Sequence, residues 1–149
     1  MSEVENITTS NTVAKLPLLA AVVALIGLSD AVYLTIHHLN GEMVPCSVTG
    51  GCETVLTSSY AEIGGIPLAA FGAVAYFIAF SLAILAAFGN RKMWFIFGLQ
   101  VSFMALTSLF LVYLQIFVIK AICQYCMVSA GVCLTLFIIA IVSKFWRSK

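Results

Sequence analysis

The chain has 149 residues, 62% of them hydrophobic and only 9% charged, with a formal net charge of +1. A soluble domain carries about 25% charged residues, so this composition, with its mean hydropathy of +1.12, excludes an ordinary soluble enzyme and makes lipid the main solvent. The seven Lys and Arg are scattered without a basic stripe, which excludes a nucleic-acid partner.

Residues 1–15 are polar and rich in Ser, Thr and Asn, and they predict a disordered tail. The apolar segment 16–36 is the first candidate span. It outruns the ~7–15-residue core of a signal peptide, and no small-x-small site follows, so it is read as a retained helix. Segments 66–88, 93–119 and 122–142 are the other three. At ~1.5 Å rise per residue each is long enough for the ~30 Å hydrocarbon layer, and only a helix pairs its own backbone groups there. "GNRK" and "KA" are connections too short for anything but antiparallel neighbours. The fold expected is an all-α integral membrane bundle of four transmembrane helices over 16–142, followed by a basic tail at 143–149.

One connection is long. Residues 37–65 form an outer loop in which "ETVLTSSYAEI" spaces Val55, Leu56 and Tyr60 as a short amphipathic helix on the membrane surface would. "GGIP" then breaks that helix, with Pro67 tolerated in the first turn of the second span. Lys15, Arg91, Lys92, Lys144, Arg147 and Lys149 fall on one side of the bundle and Lys120 alone on the other. The basic side is cytoplasmic by the positive-inside rule, so both termini lie inside and the loop outside. Trp94 and Trp146 are placed as interfacial anchors at the inner boundary, and Tyr33, Tyr60 and Tyr125 at the outer one.

This topology gathers four cysteines on the outer side, where disulfides persist. Cys123 and Cys126 stand one turn apart at the start of the fourth span, close enough to bond, where unpaired N–H groups and the helix dipole favour a thiolate. Cys46 and Cys52 enclose "SVTGG", whose Gly50 and Gly51 let the chain turn back. Closing so short a ring stabilises a fold by roughly 2 kcal/mol; an exchangeable disulfide suits it better than a staple. Four thiolates around zinc are the rival reading, although C-x5-C is wider than the usual two-to-four spacing. Cys133, two turns deeper, reads as a small buried hydrophobe.

"CSVTGGCETVLTSSYAEIGGIPLAAFG", a fourth-span "CQYC" and "AVYLTIHHL" at the end of the first span together resemble the vitamin K epoxide reductase family over about 16–142. The resemblance implies a prokaryotic inner-membrane protein whose helices surround a quinone of the ubiquinone, menaquinone or vitamin K type. It implies that Cys126 faces the quinone and that Cys123 exchanges a disulfide with Cys52. Cys46 then meets a reduced thioredoxin-like, DsbA-like partner on the outer side, and Ser58 matches the hydroxyl residue of the family's surface helix. Many bacterial members carry a thioredoxin-like domain after the last span; this chain stops at Lys149, so the partner is expected to be a separate protein. Animal members have Tyr where this chain has Ala130, which shifts the expectation from epoxide reduction, kept as the alternative, to quinone reduction.

Phe71, Phe110, Tyr113 and Phe117 are candidates to line the quinone pocket. No metal is expected, and His37 and His38 read as interfacial groups. Asp30 stands out, because an ionisable group within a span is costly. It can reach toward the interface, pair with Ser29 or Thr107, or serve a proton path to the quinone.

Overall fold

A computed structural model describes residues 2–46 and 50–148. The first helix, α1, runs Ser2–Asn40, with its membrane-competent part at Lys15–Asn40. The helix therefore begins well before the apolar segment, where the sequence predicts a disordered tail. Once that segment is helical, further residues add hydrogen bonds without a new nucleus; Pro17 inside the helix costs one of them, and "SEVENITTSNTVAK" itself holds no Pro or Gly.

The outer loop contains α2 (Cys52–Leu56), which is shorter than the sequence pattern suggests. It ends because Thr57 and Ser58 turn back on it: the Thr57 and Ser58 hydroxyls donate to the carbonyls of Glu53 (2.6 Å) and Val55 (2.7 Å). Such local bonding competes with helix continuation. Ser58 thus lies just past the surface helix rather than within it. A two-stranded hairpin follows, β1 (Glu62–Ile63) with β2 (Ile66–Pro67), pairing Glu62 with Pro67 and Ile63 with Ile66. Gly64 and Gly65 have φ of 61° and 83°. Two consecutive positive φ values are what a tight two-residue hairpin turn requires, and glycine supplies them without strain.

Three more long helices complete the bundle: α3 (Leu68–Ala87), α4 (Arg91–Tyr113) and α5 (Gln124–Ser148). Asn90 starts α4 by accepting from the N–H groups of Lys92 and Met93. The third span does not end as a regular helix. Residues Leu114–Ile119 widen into a π-helical turn, and Lys120 closes it in the left-handed conformation at φ 58°.

Among the described residues four helices are long and apolar enough to cross a membrane. α1 packs on α3 and α5, and α4 closes the ring by packing on the same two. The α1–α3 seam is built from small residues: Ala20, Ala24, Ala31, Ala79 and Ala83 are buried, allowing close backbone approach. A Cβ added to Gly27 would stand 2.4 Å from the Tyr76 ring, so glycine there makes room for a tyrosine inside the bundle. Large apolar side chains such as Val22, Phe77, Leu99 and Leu106 point outward, as they do when hydrocarbon surrounds a bundle. Trp146 is exposed, as an anchor would be, but Trp94 is buried. Its indole N–H donates to Ser143 Oγ at 2.9 Å and its ring stacks on Phe97. Its register on α4 turns it toward α5, so the indole is satisfied inside the protein instead of at the lipid interface.

Candidate functional site

The site lies at the end of the bundle where α1 and the third span stop and α3 and α5 start. Cys46 and Cys52 are joined by a disulfide with Cα atoms 5.8 Å apart. Gly50, at φ 63°, turns the chain between them. Gly51 then lies directly against the backbone ahead of α5: an added Cβ would come within 2.6 Å of the Ile122 carbonyl oxygen and 2.9 Å of its nitrogen. Only a residue without a side chain allows that approach. It brings Cys52 and Cys123, both 0% exposed, into one small core with Val55, against which Cys46, Leu56, Tyr125 and Cys126 pack.

Tyr125, between the two cysteines of α5, holds the loop from the other side. Its hydroxyl donates to the Pro45 carbonyl at 3.0 Å, one residue before Cys46, and its ring lies 5.5 Å from that of Tyr33. At the end of α1, His38 Nε2 meets Glu62 Oε1 at 2.6 Å, tying α1 to the hairpin, and His37 Nδ1 lies 3.2 Å from Glu42 Oε2.

Cys123, Cys126 and Cys133 are free thiols. Cys123 immediately precedes α5 and its carbonyl accepts from Met127 N–H at 3.1 Å, so it occupies the N-terminal cap position, with Cys126 in the first turn. The hydrogen bond from the Cys126 thiol, helped by the N–H groups of Cys126 and Tyr125, outweighs burial and pulls the Cys123 thiol down to about 7. That sulfur is therefore substantially thiolate at neutral pH, as an attacking or leaving sulfur must be.

Gln115 is a side chain of the site that the sequence pattern does not single out. It is buried in the π-helical turn. Its Oε1 accepts from Cys123 N–H at 3.2 Å, its carboxamide also hydrogen-bonds Cys126, and its own carbonyl accepts from Ala121 N–H at 3.1 Å. One residue thereby fastens the end of the third span to both α5 cysteines. The signal was a carboxamide within an apolar run, a group that hydrocarbon tolerates only when it is paired.

Beneath the cysteines lies a largely apolar cavity of about 330 Å³. Cys126 is in its wall, as are Ser58, Phe71, Gln115 and Ala130. Tyr113, Phe117 and Phe110 are not. All three are exposed on the outer face of the third span, Tyr113 and Phe117 with ring centroids 4.9 Å apart. Helix register turns Leu111, Leu114 and Gln115 inward instead, so of the aromatic residues nominated from sequence only Phe71 reaches the cavity.

Farther in, Tyr76 is buried, and its hydroxyl lies 2.8 Å from both Ser129 Oγ and the Ser129 carbonyl and 3.1 Å from Cys133 Sγ. Cys133 therefore sits in a polar cluster rather than a purely apolar one. Neither hydroxyl considered for Asp30 serves it: Ser29 donates to Leu25 and Thr107 to Phe103 within their own helices. Among the described residues no three His, Cys, Asp or Glu side chains converge as a metal-ligand set, and two of the four sulfurs a zinc site would need are bonded to each other.

The thiol-disulfide oxidoreductase LTO1 of Arabidopsis thaliana is 30% identical over 121 residues, which is 75% of this chain and 32% of that protein; the chain thus spans about a third of the length of this curated relative. Residues 18–141 match the vitamin K epoxide reductase family. That match runs through all four spans and takes in both cysteine pairs, and the chain belongs to the vitamin K epoxide reductase family.

Proposed function

We propose that the protein is a membrane thiol-disulfide oxidoreductase that takes two electrons from a reduced thioredoxin-fold partner and discharges them to a quinone in the bundle. The single observation that carries this reading is the split environment of the helix pair. Cys123 is buried against Cys52, while Cys126, one turn on, stands in the wall of the cavity.

The exchange steps balance as follows. A partner thiolate attacks Cys46, forming a mixed disulfide and releasing Cys52 as thiolate; the partner's second thiol resolves it and leaves as a disulfide. Cys52 then attacks Cys123 of an oxidised helix pair, freeing the Cys126 thiolate. Cys46 closes again on Cys52 and releases Cys123. The loop pair is oxidised once more and the helix pair holds two electrons. That distribution, a Cys46–Cys52 disulfide beside free Cys123 and Cys126, corresponds to the point just before discharge.

A quinone bound in the cavity would accept two electrons and two protons. The cavity suits a flat apolar ring: it is mostly hydrocarbon with a few polar groups, at the small end of the ~300–1,000 Å³ range of ligand pockets. Phe71 offers an aromatic ring, Gln115 orients Cys123 and Cys126, and Ala130 puts a methyl in the wall where the animal members of the family have Tyr, which favours quinone over epoxide reduction. Ser58 holds the end of α2, and with it Cys52, by its bond to Val55. The distribution of Lys and Arg supports cytoplasmic termini and cysteines on the opposite side.

Purified full chain, a reduced thioredoxin-fold protein and a short-chain ubiquinone test this directly. Cys126→Ala is expected to abolish quinone reduction, by at least a hundredfold, and to accumulate a Cys52–Cys123 disulfide identified by mass spectrometry. Full turnover by that variant sinks the proposal.

A further inference from the structure

The thiol chemistry leaves one proton unaccounted for. A helix pair with Cys123 as thiolate and Cys126 as thiol carries two electrons but a single proton, whereas a quinone takes up two of each. The missing proton needs a donor that opens on the cavity.

One cavity-facing group fits. Asp30, on α1, lies in the cavity wall, and its Oδ2 is buried without any hydrogen-bond partner among the described residues. A carboxyl oxygen left without a donor in a membrane interior is expensive to keep as an anion, and such groups in spans commonly serve proton transfer. The other groups facing this space are poorer donors or already committed. From the outer loop, the Ser58 hydroxyl donates to the Val55 carbonyl, and Tyr60, about half exposed, offers a phenol, a far weaker acid than a carboxyl. From α3, the Tyr76 hydroxyl is engaged with Ser129 and Cys133. From α5, Cys126 gives its own proton, and Cys133 is held by Tyr76. From the third span come the neutral side chains of Gln100, Thr107, Ser108 and Gln115. His38, at the outer end of α1, also borders the cavity and is paired with Glu62.

We infer that Asp30 is the proton donor to a quinone in this cavity, giving the second proton as the α5 cysteines give two electrons and the first. This deepens the proposed function and rests on it. The step balances: Cys123 thiolate, Cys126 thiol, Asp30 carboxylic acid and quinone become a Cys123–Cys126 disulfide, Asp30 carboxylate and hydroquinone. The Asp30 carboxylate then recovers its proton from water at the outer end, with His38 beside the route. Electrostatics times the transfer. A charge on Asp30 opposes a thiolate at Cys123, and interactions between ionisable groups are mutual. Converting the pair to a neutral disulfide removes that opposing charge, so ionisation of Asp30 becomes easier as the electrons leave.

The purified full chain is treated with a membrane-permeant carbodiimide, which couples to a protonated carboxyl in an apolar site, and labelling of Asp30 is read by mass spectrometry. Labelling that falls at least fivefold on adding a short-chain ubiquinone supports the inference; absent labelling, or labelling indifferent to the quinone, overturns it. In stopped-flow oxidation of the pre-reduced helix pair, Asp30→Asn is expected to slow the quinone step about a hundredfold, the scale of a lost general acid. The loss should fall in kcat, with KM changed less than threefold, and Asp30→Glu should recover at least a tenth of the rate. If Asp30→Asn does not fold, Asp30→Glu and the labelling decide. A wild-type chain that exchanges thiols but reduces no quinone overturns the wider function and this role with it; one that reduces quinone no faster than Asp30→Asn overturns the role of Asp30 alone.

Discussion

The two cysteine pairs sit within one small core, yet they are built on opposite principles. Cys46 and Cys52 lie on a glycine-turned loop and a five-residue helix, held in place by outside contacts: Tyr125 on the Pro45 carbonyl and the backbone of Ile122 against Gly51. Cys123 and Cys126 lie at the start of a membrane-spanning helix, fixed by Gln115 and by the helix's own N–H groups. In the proposed function, exchange with a separate protein falls to the pair on the loop and delivery into the cavity to the pair at the start of the span. The difference teaches that the loop pair depends on the helix pair for its position, through contacts that are individually testable.

The largest expected effect comes from breaking the closest of those contacts. Gly51→Ala places a methyl where the Ile122 carbonyl oxygen lies 2.6 Å away, and both sides of that contact are backbone. Neither can rotate aside, so the loop must lift from α5, at a cost of about 1–3 kcal/mol typical of overpacking. A displacement near 1 Å at reacting atoms slows chemistry by up to about a hundredfold. The expected result is a ten- to hundredfold slower transfer between the pairs, read by stopped-flow, with oxidation of the pre-reduced helix pair by quinone changed less than threefold. Equal slowing of both half-reactions would mean that the loop also shapes the cavity, and the comparison would fail.

The same comparison explains which features were legible from residues alone. The spans were, because lipid imposes length and apolarity on them and short connections impose antiparallel order. The meeting of the two cysteine pairs at one end of the bundle was, because the order of spans and connections puts both pairs there. What depends on helix register was not. Tyr113 and Phe117 belong to the outer face because of where the third span places Leu111, Leu114 and Gln115, and the widening at Leu114–Ile119 is set by contacts of Gln115 with residues 121, 123 and 126. Trp94 was misplaced for a similar reason: position near a helix end says how deep a side chain lies, not which way it faces. α2 stopped at Leu56 because Thr57 and Ser58 bond backward, a competition that apolar spacing does not register.

A smaller effect sharpens the helix half of the comparison. With Cys123 held at about 7 chiefly by the hydrogen bond from Cys126, its reaction with a small permeant alkylating agent, through the openings that expose this buried sulfur, should rise with pH through that value and then level off. The sign is fixed by the thiolate being the nucleophile: acidification to pH 6 protonates most of it and slows labelling. Cys126→Ala removes the leading cause, so the midpoint should move up toward the ordinary ~8.5 of a free thiol, and labelling at pH 7 should drop several-fold. Peptide mass spectrometry assigns the alkylated sulfur. A midpoint that does not move in the variant would assign the lowered value to the backbone N–H groups at the start of α5 alone.

The smallest effect tests the loop half. Tyr125→Phe removes one hydroxyl and leaves the ring, so packing against Tyr33 and the helix start should survive while the bond to the Pro45 carbonyl is lost. A single neutral hydrogen bond contributes about 0.5–1.5 kcal/mol, and Tyr125 is only partly buried, so water can replace the lost donor. The expected change is a two- to threefold slower reaction of the reduced partner with Cys46, at unchanged thermal midpoint and with quinone oxidation of the helix pair unaffected. The direction matters more than the size. A faster partner reaction would show that Tyr125 restrains the loop from opening, and that the tether on Cys46 regulates access to the disulfide rather than presenting it.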